Sequence, residues 1–144
     1  MSLAYVKKIC LFGGAGFVGR SIVRLLAKRG FEVKIATRSP FDEDLLELKS
    51  TVSDPGQIMI EKINIHSKSQ VKDFIKDSEI CINLVGILFE KGSSTFKKVH
   101  TDFVDNLTSA IKEEKNVKHF IHFSSLGVKS NTNSKYLESK YKAE

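Results

Sequence analysis

A serine, a tyrosine and a lysine near the end of the chain are of the types that move protons. Ser124-Ser125 closes the apolar run Val117–Phe123, and Tyr136-Leu137-Glu138-Ser139-Lys140 follows soon after. In a helix, Tyr136 and Lys140 stand one turn apart on one face. A lysine ammonium beside a tyrosine hydroxyl stabilises the phenolate. Such a tyrosine can pass a proton to or from a substrate oxygen while a nicotinamide passes hydride. A serine hydroxyl at the strand end, that of Ser125, would hold the same oxygen. The tyrosine–lysine spacing is cheap in a chain with 23 Lys and Arg among 144 residues. Its meaning depends on whether the fold brings a nucleotide to it.

The opening of the chain supplies that nucleotide. Phe12-Gly13-Gly14-Ala15-Gly16-Phe17-Val18-Gly19-Arg20 follows an apolar run, Val6–Phe12, and opens a helical pattern. Glycines let a chain turn tightly, let a ligand approach the backbone and let a helix pack close to a strand. The helix N-terminus then aims unpaired N–H groups and a positive dipole end at an anion. Two dinucleotide spacings fit, G-x-G-x-x-G through Gly14, Gly16 and Gly19, and G-x-x-G-x-x-G through Gly13, Gly16 and Gly19.

The end of the second strand bears on which dinucleotide. A carboxylate there would bind both ribose hydroxyls of NAD and repel the extra phosphate of NADP. The chain has Thr37-Arg38-Ser39 and no acid until Asp42. Arg38 offers a guanidinium fork to a phosphate, Ser39 a further donor, and Arg20 could assist. NADP(H) is therefore favoured, with NAD(H) as the alternative if Arg38 is only a surface residue. Strand four ends Asn83-Leu84-Val85-Gly86, where Gly86 leaves room for a ribose or is an ordinary strand-end glycine.

The elements that must position these residues alternate. Strands are predicted at Val6–Phe12, Glu32–Thr37, Ile58–Ile63, Ile80–Val85 and Val117–Phe123. Helices are predicted at Phe17–Arg29, with Val18, Ile22, Leu25 and Leu26 on one face and Gly30 ending it, and at Asp42–Leu48, Lys68–Lys76 and Phe96–Ile111. Ser53-Asp54-Pro55-Gly56 reads as a turn, and a polar helix starts near Ser134. Five β-α repeats imply a Rossmann-type α/β fold. It is a doubly wound parallel sheet of order 3-2-1-4-5 with the ligand at the switch point beside strand one. Strands one, four and five are apolar enough for both sheet faces to be covered. The whole chain, 1–144, reads as one domain.

Composition narrows the class. Charged residues are 28% and hydrophobic residues 41%, ordinary for a globular domain. The net charge of +6 is spread along the chain, without the basic block of a nucleic-acid binder or zinc-ligand spacing. Cys10 and Cys81 fall in strand-like apolar runs and read as buried free thiols, which fits a reducing, cytoplasmic compartment. No secretory signal or membrane-length apolar run is present in the sequence. His119 and His122 read as structural, His66 could approach an adenine, and His100 sits in the longest helix near the expected cleft.

Taken together, these motifs resemble the short-chain dehydrogenase/reductase superfamily in its extended and atypical branch, the NAD-dependent epimerase/dehydratase proteins. Asn83 to Leu88, Phe96, Val99-His100, Ser124 to Gly127, Ser134 to Tyr136, Ser139-Lys140 and Glu144 are most similar to the group of the dehydrogenase-like accessory subunit of respiratory complex I and its bacterial relatives. The resemblance implies a tightly held NADPH. Gly13, Gly16, Phe17 and Val18 would meet the pyrophosphate, within the turn that also holds Gly14, Ala15 and Gly19. Arg38 would meet the 2′-phosphate, and Asn64 and Ile65 the adenine. Leu84, Val85 and Gly86 would follow the ribose. Ser124, Tyr136 and Lys140 would serve the nicotinamide end, and Ser125 stands where active members place their hydroxyl.

In the complex I subunit the cofactor is structural, so the resemblance pulls against reading Tyr136 and Lys140 as a working pair. Extended members are longer, and the missing half builds a sixth strand and the substrate region. The expectation is a cofactor half, a fragment or a chain completed by a partner, with an open sheet edge that invites pairing. Three readings follow. One is an oxidoreductase or epimerase acting through Ser125, Tyr136 and Lys140. Another is an accessory or assembly factor of NADH:quinone oxidoreductase, peripheral at the inner membrane. The last is an inert remnant.

Overall fold

The computed structural model describes residues 7–54 and 57–144. Val6 of the first predicted strand and Pro55-Gly56 of the predicted turn lie outside them. The chain runs β1 (Lys8–Phe12), α1 (Phe17–Lys28), β2 (Glu32–Thr37), α2 (Glu43–Ser50), β3 (Ile58–Lys62), α3 (Lys68–Ile75) and β4 (Ile80–Asn83). It continues through a π-helical segment (Lys97–Asp102) into α4 (Phe103–Glu114), then β5 (His119–His122) and α5 (Lys135–Ala143). The five strands form one parallel sheet, β3-β2-β1-β4-β5. Both the α/β class and the strand order are those expected.

Alternation along each strand sorts the core into two layers. Ile9, Leu11, Val33 and Ile35 meet Val23 and Ala27 of α1 and Leu45 and Leu48 of α2. Cys10, Phe12 and Cys81 face the other way, towards Phe74 of α3 and Phe103 and Leu107 of α4. Phe12 sets its ring edge-on to Phe74 and Phe103, with centroids 5.0 and 5.1 Å away. Cys10 and Cys81 are register partners on β1 and β4, both buried and free.

Most helix starts follow their caps. Asp42, Ser67 and Ser134 each accept a backbone N–H from the first turn of α2, α3 and α5, which satisfies a donor that the helix cannot. Gly30 ends α1 with φ 83°. Asp42 is thus the cap of α2 rather than its first residue.

Four local expectations are corrected. The buried stripe of α1 is Gly19, Val23 and Ala27, whereas Val18 and Leu25 are exposed. Small side chains at Gly19 and Ala27 let this face, not the bulkier one, sit closest to the sheet. Strand β4 ends at Asn83 because the Asn83 side chain, not a neighbouring strand, takes the Val85 N–H at 3.0 Å. The predicted Phe96–Ile111 helix begins as a π-helical segment. Strand β5 is covered on one face only: Phe120 packs against the α3–α4 core, whereas Ile121 is 46% and Phe123 42% exposed.

Candidate functional site

The carboxyl ends of β1, β2, β3 and β4 surround a cleft of about 610 Å³. Its floor is the glycine turn. Gly13 has φ 85°, a conformation that L side chains rarely adopt, and a Cβ there would lie 2.9 Å from the Leu84 carbonyl carbon. A Cβ on Gly14 would run into the Ile35 side chain at 2.8 Å, and one on Gly19 into the Gly13 carbonyl oxygen at 2.3 Å. These three glycines therefore hold turn, helix and sheet together. Gly16 differs, for the nearest atom to its virtual Cβ is 3.6 Å away, and it is exposed in the cleft lining beside the half-buried Ala15.

Gly16 is also the N-cap of α1, and it supplies no side-chain cap. The first turn of α1 carries no acid. Phe17 and Val18 are exposed there. The result is a helix start whose N–H groups and dipole face the cleft without a carboxylate competing for them, which suits a pyrophosphate.

Arg38 and Ser39 line the far wall, and Asn64, Ile65 and His66 the side beyond β3. Leu84, Val85 and Gly86 line the wall after β4. Arg20 does not join them, because its guanidinium is bound by Asp44 at 2.6 Å. Asp42 also lines the cleft, with its carboxylate accepting the Asp44 N–H at 3.0 Å. Sequence reasoning missed Asp42, Ile87, Ser93 and Ser94 as lining residues. The last three belong to the irregular stretch after β4, which carries no periodic signal.

Ser125, Tyr136 and Lys140 gather beyond the Gly86 wall of this cleft. The Ser125 and Tyr136 hydroxyls are 2.6 Å apart, so the start of α5 and the segment just after β5 meet there. Lys140 is buried and donates to the Phe123 carbonyl at 3.3 Å. Burial lowers its pKa, against a raising effect of Glu144. A Cβ on Gly86 would lie 3.6 Å from both Lys140 Nζ and His100 Nε2. The absence of a side chain there keeps open the space between the cleft wall and the two basic groups. Ser124 donates to the Glu144 carboxylate.

Two histidines line the buried side of this group. Asn83 is fixed by the Val85 N–H, so its amide nitrogen faces His122 Nδ1 at 3.2 Å, and His122 carries its proton on Nε2. Burial first and the Lys140 charge second lower the His122 pKa, with Glu144 opposing. His100 is buried, with Nε2 accepting the Ile87 N–H at 2.9 Å and Nδ1 2.8 Å from Ser139 Oγ.

Comparison with known proteins accords with this geometry. The family model described as "NmrA-like family" matches residues 6–143. The mitochondrial NADH dehydrogenase [ubiquinone] 1 alpha subcomplex subunit 9 of Arabidopsis thaliana is 28% identical over 93% of this chain and 33% of its own length. Its Mus musculus counterpart is 31% identical over 90% and 34%. UDP-D-apiose/UDP-D-xylose synthase 2 of Arabidopsis thaliana is 27% identical over 90% and 34%. The chain thus spans about a third of the length of these curated relatives. Among solved structures, an Agrobacterium tumefaciens uronate dehydrogenase variant complexed with NAD superposes with TM-score 0.74 at 18% identity, over 96% of this chain and 54% of that one. The fold is thereby one that this chain shares with solved uronate dehydrogenases, and the resemblance read from the motifs is borne out. Among the described residues, no helix is long and apolar enough to cross a membrane.

Proposed function

The chain belongs to the NmrA-like family, and on that premise we propose that it holds NADP(H) as an accessory or assembly factor of NADH:quinone oxidoreductase. One observation carries the cofactor reading: an uncapped, acid-free α1 start and Arg38 stand at opposite parts of one cleft. Gly13 to Val18 would take the pyrophosphate, with Gly14, Ala15 and Gly19 shaping the turn. Arg38 would take the 2′-phosphate, Asn64 and Ile65 the adenine, and Leu84 to Gly86 the ribose. Ser124, Tyr136 and Lys140 would serve the nicotinamide end. When bound, the dinucleotide supplies hydride chemistry.

The Asp42 carboxylate also lines the cleft, with one oxygen accepting the Asp44 N–H that caps α2. Arg38 is the guanidinium in the cleft wall and would be the group that favours a 2′-phosphate. Fluorescence titration with NADPH and NADH tests it. Removing a charge-assisted contact costs about 1.5–3 kcal/mol, so Arg38→Ala should weaken NADPH roughly 10- to 100-fold and NADH little. Equal affinity for both cofactors in the unaltered protein would defeat the NADP reading.

The accessory role rests on the relatives named as complex I subunits and implies a peripheral place at an inner membrane. Co-migration with that complex in native membranes supports it; absence from such membranes counts against it. A second copy pairing at the β5 edge is the alternative partner.

A second reading, an NAD(P)-dependent oxidoreductase or epimerase, draws on the 2.6 Å Ser125–Tyr136 contact, with Lys140 one turn further along α5. In that reading Ser125 holds a substrate oxygen, Tyr136 moves the proton at it, and Lys140 supplies the charge. Tyr136→Phe should then lower turnover of a carbonyl substrate by about 10²-fold or more. Unchanged turnover would leave only the binding role.

A further inference from the structure

The hydrogen bonds around His100 have one consistent direction. Ile87 N–H can only donate, so His100 Nε2 accepts it at 2.9 Å. The ring is neutral with its proton on Nδ1, and Nδ1–H donates to Ser139 Oγ at 2.8 Å. The Ser139 hydroxyl then donates to the Tyr136 carbonyl at 2.7 Å. A continuous chain of three bonds thus runs from the cleft-lining loop after β4 to the backbone of Tyr136. Next to it, Thr101 Oγ1 donates to the Ser139 carbonyl at 3.1 Å.

Packing holds the ring in that pose. Phe96 stacks on it at 5.6 Å, and Tyr136 meets it edge-on at 5.3 Å. The ring lies in the π-helical segment Lys97–Asp102. Such segments interrupt α-helices at functional sites; here it presents both His100 and Thr101 to α5. Lys140 and Tyr136 on α5 and His122 on β5 are the charged or titratable groups facing the ring, and of these Lys140 and His122 act on its charge. Burial and these two neighbours disfavour its cation, and the pKa is lowered to about 4.

We propose that His100 is a positioning residue: a neutral imidazole strut that fixes α5, and with it Tyr136 and Lys140, against the loop Leu84–Ile87. α5 is also held to the β5 end, through Ser125–Tyr136, Lys140–Phe123 and Ser124–Glu144, and to Thr101. The His100 strut adds the tie to the loop after β4, so it sets how the Tyr136 hydroxyl and the Lys140 ammonium stand relative to that cleft wall. The consequence for cofactor affinity rests on the dinucleotide reading above; the strut itself belongs to the protein alone.

The test starts without cofactor. Nitrogen-15 NMR of the imidazoles should show His100 as the neutral Nδ1–H tautomer at pH 6.5, remaining neutral to well below that pH. Amide hydrogen exchange of Ile87 and α5 should quicken roughly tenfold in His100→Phe, which keeps a ring and loses both bonds. His100→Gln, which retains an acceptor for Ile87, should restore the Ile87 protection. Ser139→Ala should quicken α5 and spare Ile87, and it carries the test if His100→Phe does not fold. Exchange in β1, β2 and β3 should not change. A charged or Nε2–H ring at pH 6.5, or α5 exchange unaltered in both variants, overturns the strut. Failure of the unaltered protein to bind NADPH would defeat the cofactor reading and leave these measurements standing.

Discussion

Replacing Gly19 by alanine adds one methyl on the helix face that rests against the glycine turn. That methyl would stand 2.3 Å from the Gly13 carbonyl oxygen and 2.7 Å from Gly14 Cα, far inside an ordinary contact distance of about 3.5 Å. Both neighbours are backbone atoms, so no side chain can swing away. Relief requires α1 to lift from the turn that Gly13 and Gly14 already pin against Leu84 and Ile35. Overpacking of this kind costs about 3 kcal/mol or more. The better helix propensity of alanine returns about 1 kcal/mol. The net loss is then about 2 kcal/mol, a fall of roughly 1 M in the urea midpoint.

Gly16→Ala is the control for that reasoning. Its φ of −73° and ψ of 171° suit any residue, and its nearest neighbour would be 3.6 Å away. The change should cost at most about 1 kcal/mol, the loss of glycine's advantage over alanine as an N-cap. It should nonetheless weaken dinucleotide binding, because the methyl would project where a pyrophosphate approaches the backbone. Paired urea titrations read by circular dichroism, with fluorescence titrations of NADPH, separate the two effects. A Gly19→Ala protein with an unaltered midpoint, or a Gly16→Ala protein as unstable as Gly19→Ala, would refute the packing argument.

Other outcomes follow from the same coordinates. Because the His100 pKa is lowered in the folded protein to about 4 from 6.5, its contribution is present above pH 6.5 and lost as the pH falls through 4; His100→Phe should flatten that stretch of the urea-midpoint profile. Lys34 is buried on β2, donating to the Phe74 carbonyl at 2.9 Å and to Asp77 at 3.2 Å, so Lys34→Ala should destabilise by about 2 kcal/mol in the same denaturation assay. Burial raises the Asp77 pKa, but the Lys34 hydrogen bond and charge, with Lys8, hold it net below 3.8; stability present above pH 3.8 is lost as the pH falls through the lowered value, and the loss should vanish in Asp77→Asn. Arg20→Ala should lower stability by about 0.5 kcal/mol through its pair with the half-exposed Asp44 and leave NADPH affinity nearly intact, in contrast to Arg38→Ala.

The order of elements was legible because each strand and helix announces itself locally. Val33 and Ile35 alternate, Asp42 and Ser134 stand at helix starts, and Gly30 marks an end. Parallel β-α repeats leave few topologies, so strand order followed as well. The Gly13–Gly19 turn was equally legible, since its chemistry depends on backbone freedom at fixed spacing. Ser125 and Tyr136 could be read together because both follow the fifth strand of a nucleotide-type fold, whose strand ends face the ligand cleft.

What the sequence could not decide depended on distance in the chain. Whether Arg20 serves a phosphate turned on Asp44, a residue of another helix. The wide apolar stripe of α1 allowed more than one buried face, and only contact between Gly19 and the turn selected among them. His100, placed by the sequence only in the longest helix near the expected cleft, links Ile87 to Ser139, itself 39 residues further along the chain. A hydrogen bond of that kind has no periodic trace. By itself, the sequence determined the strand–turn–helix that can cradle a dinucleotide. Only the tertiary structure decided which side chains remain free to bind it and which are held by one another, because that choice is made by groups far apart in the chain competing for the same donors and charges.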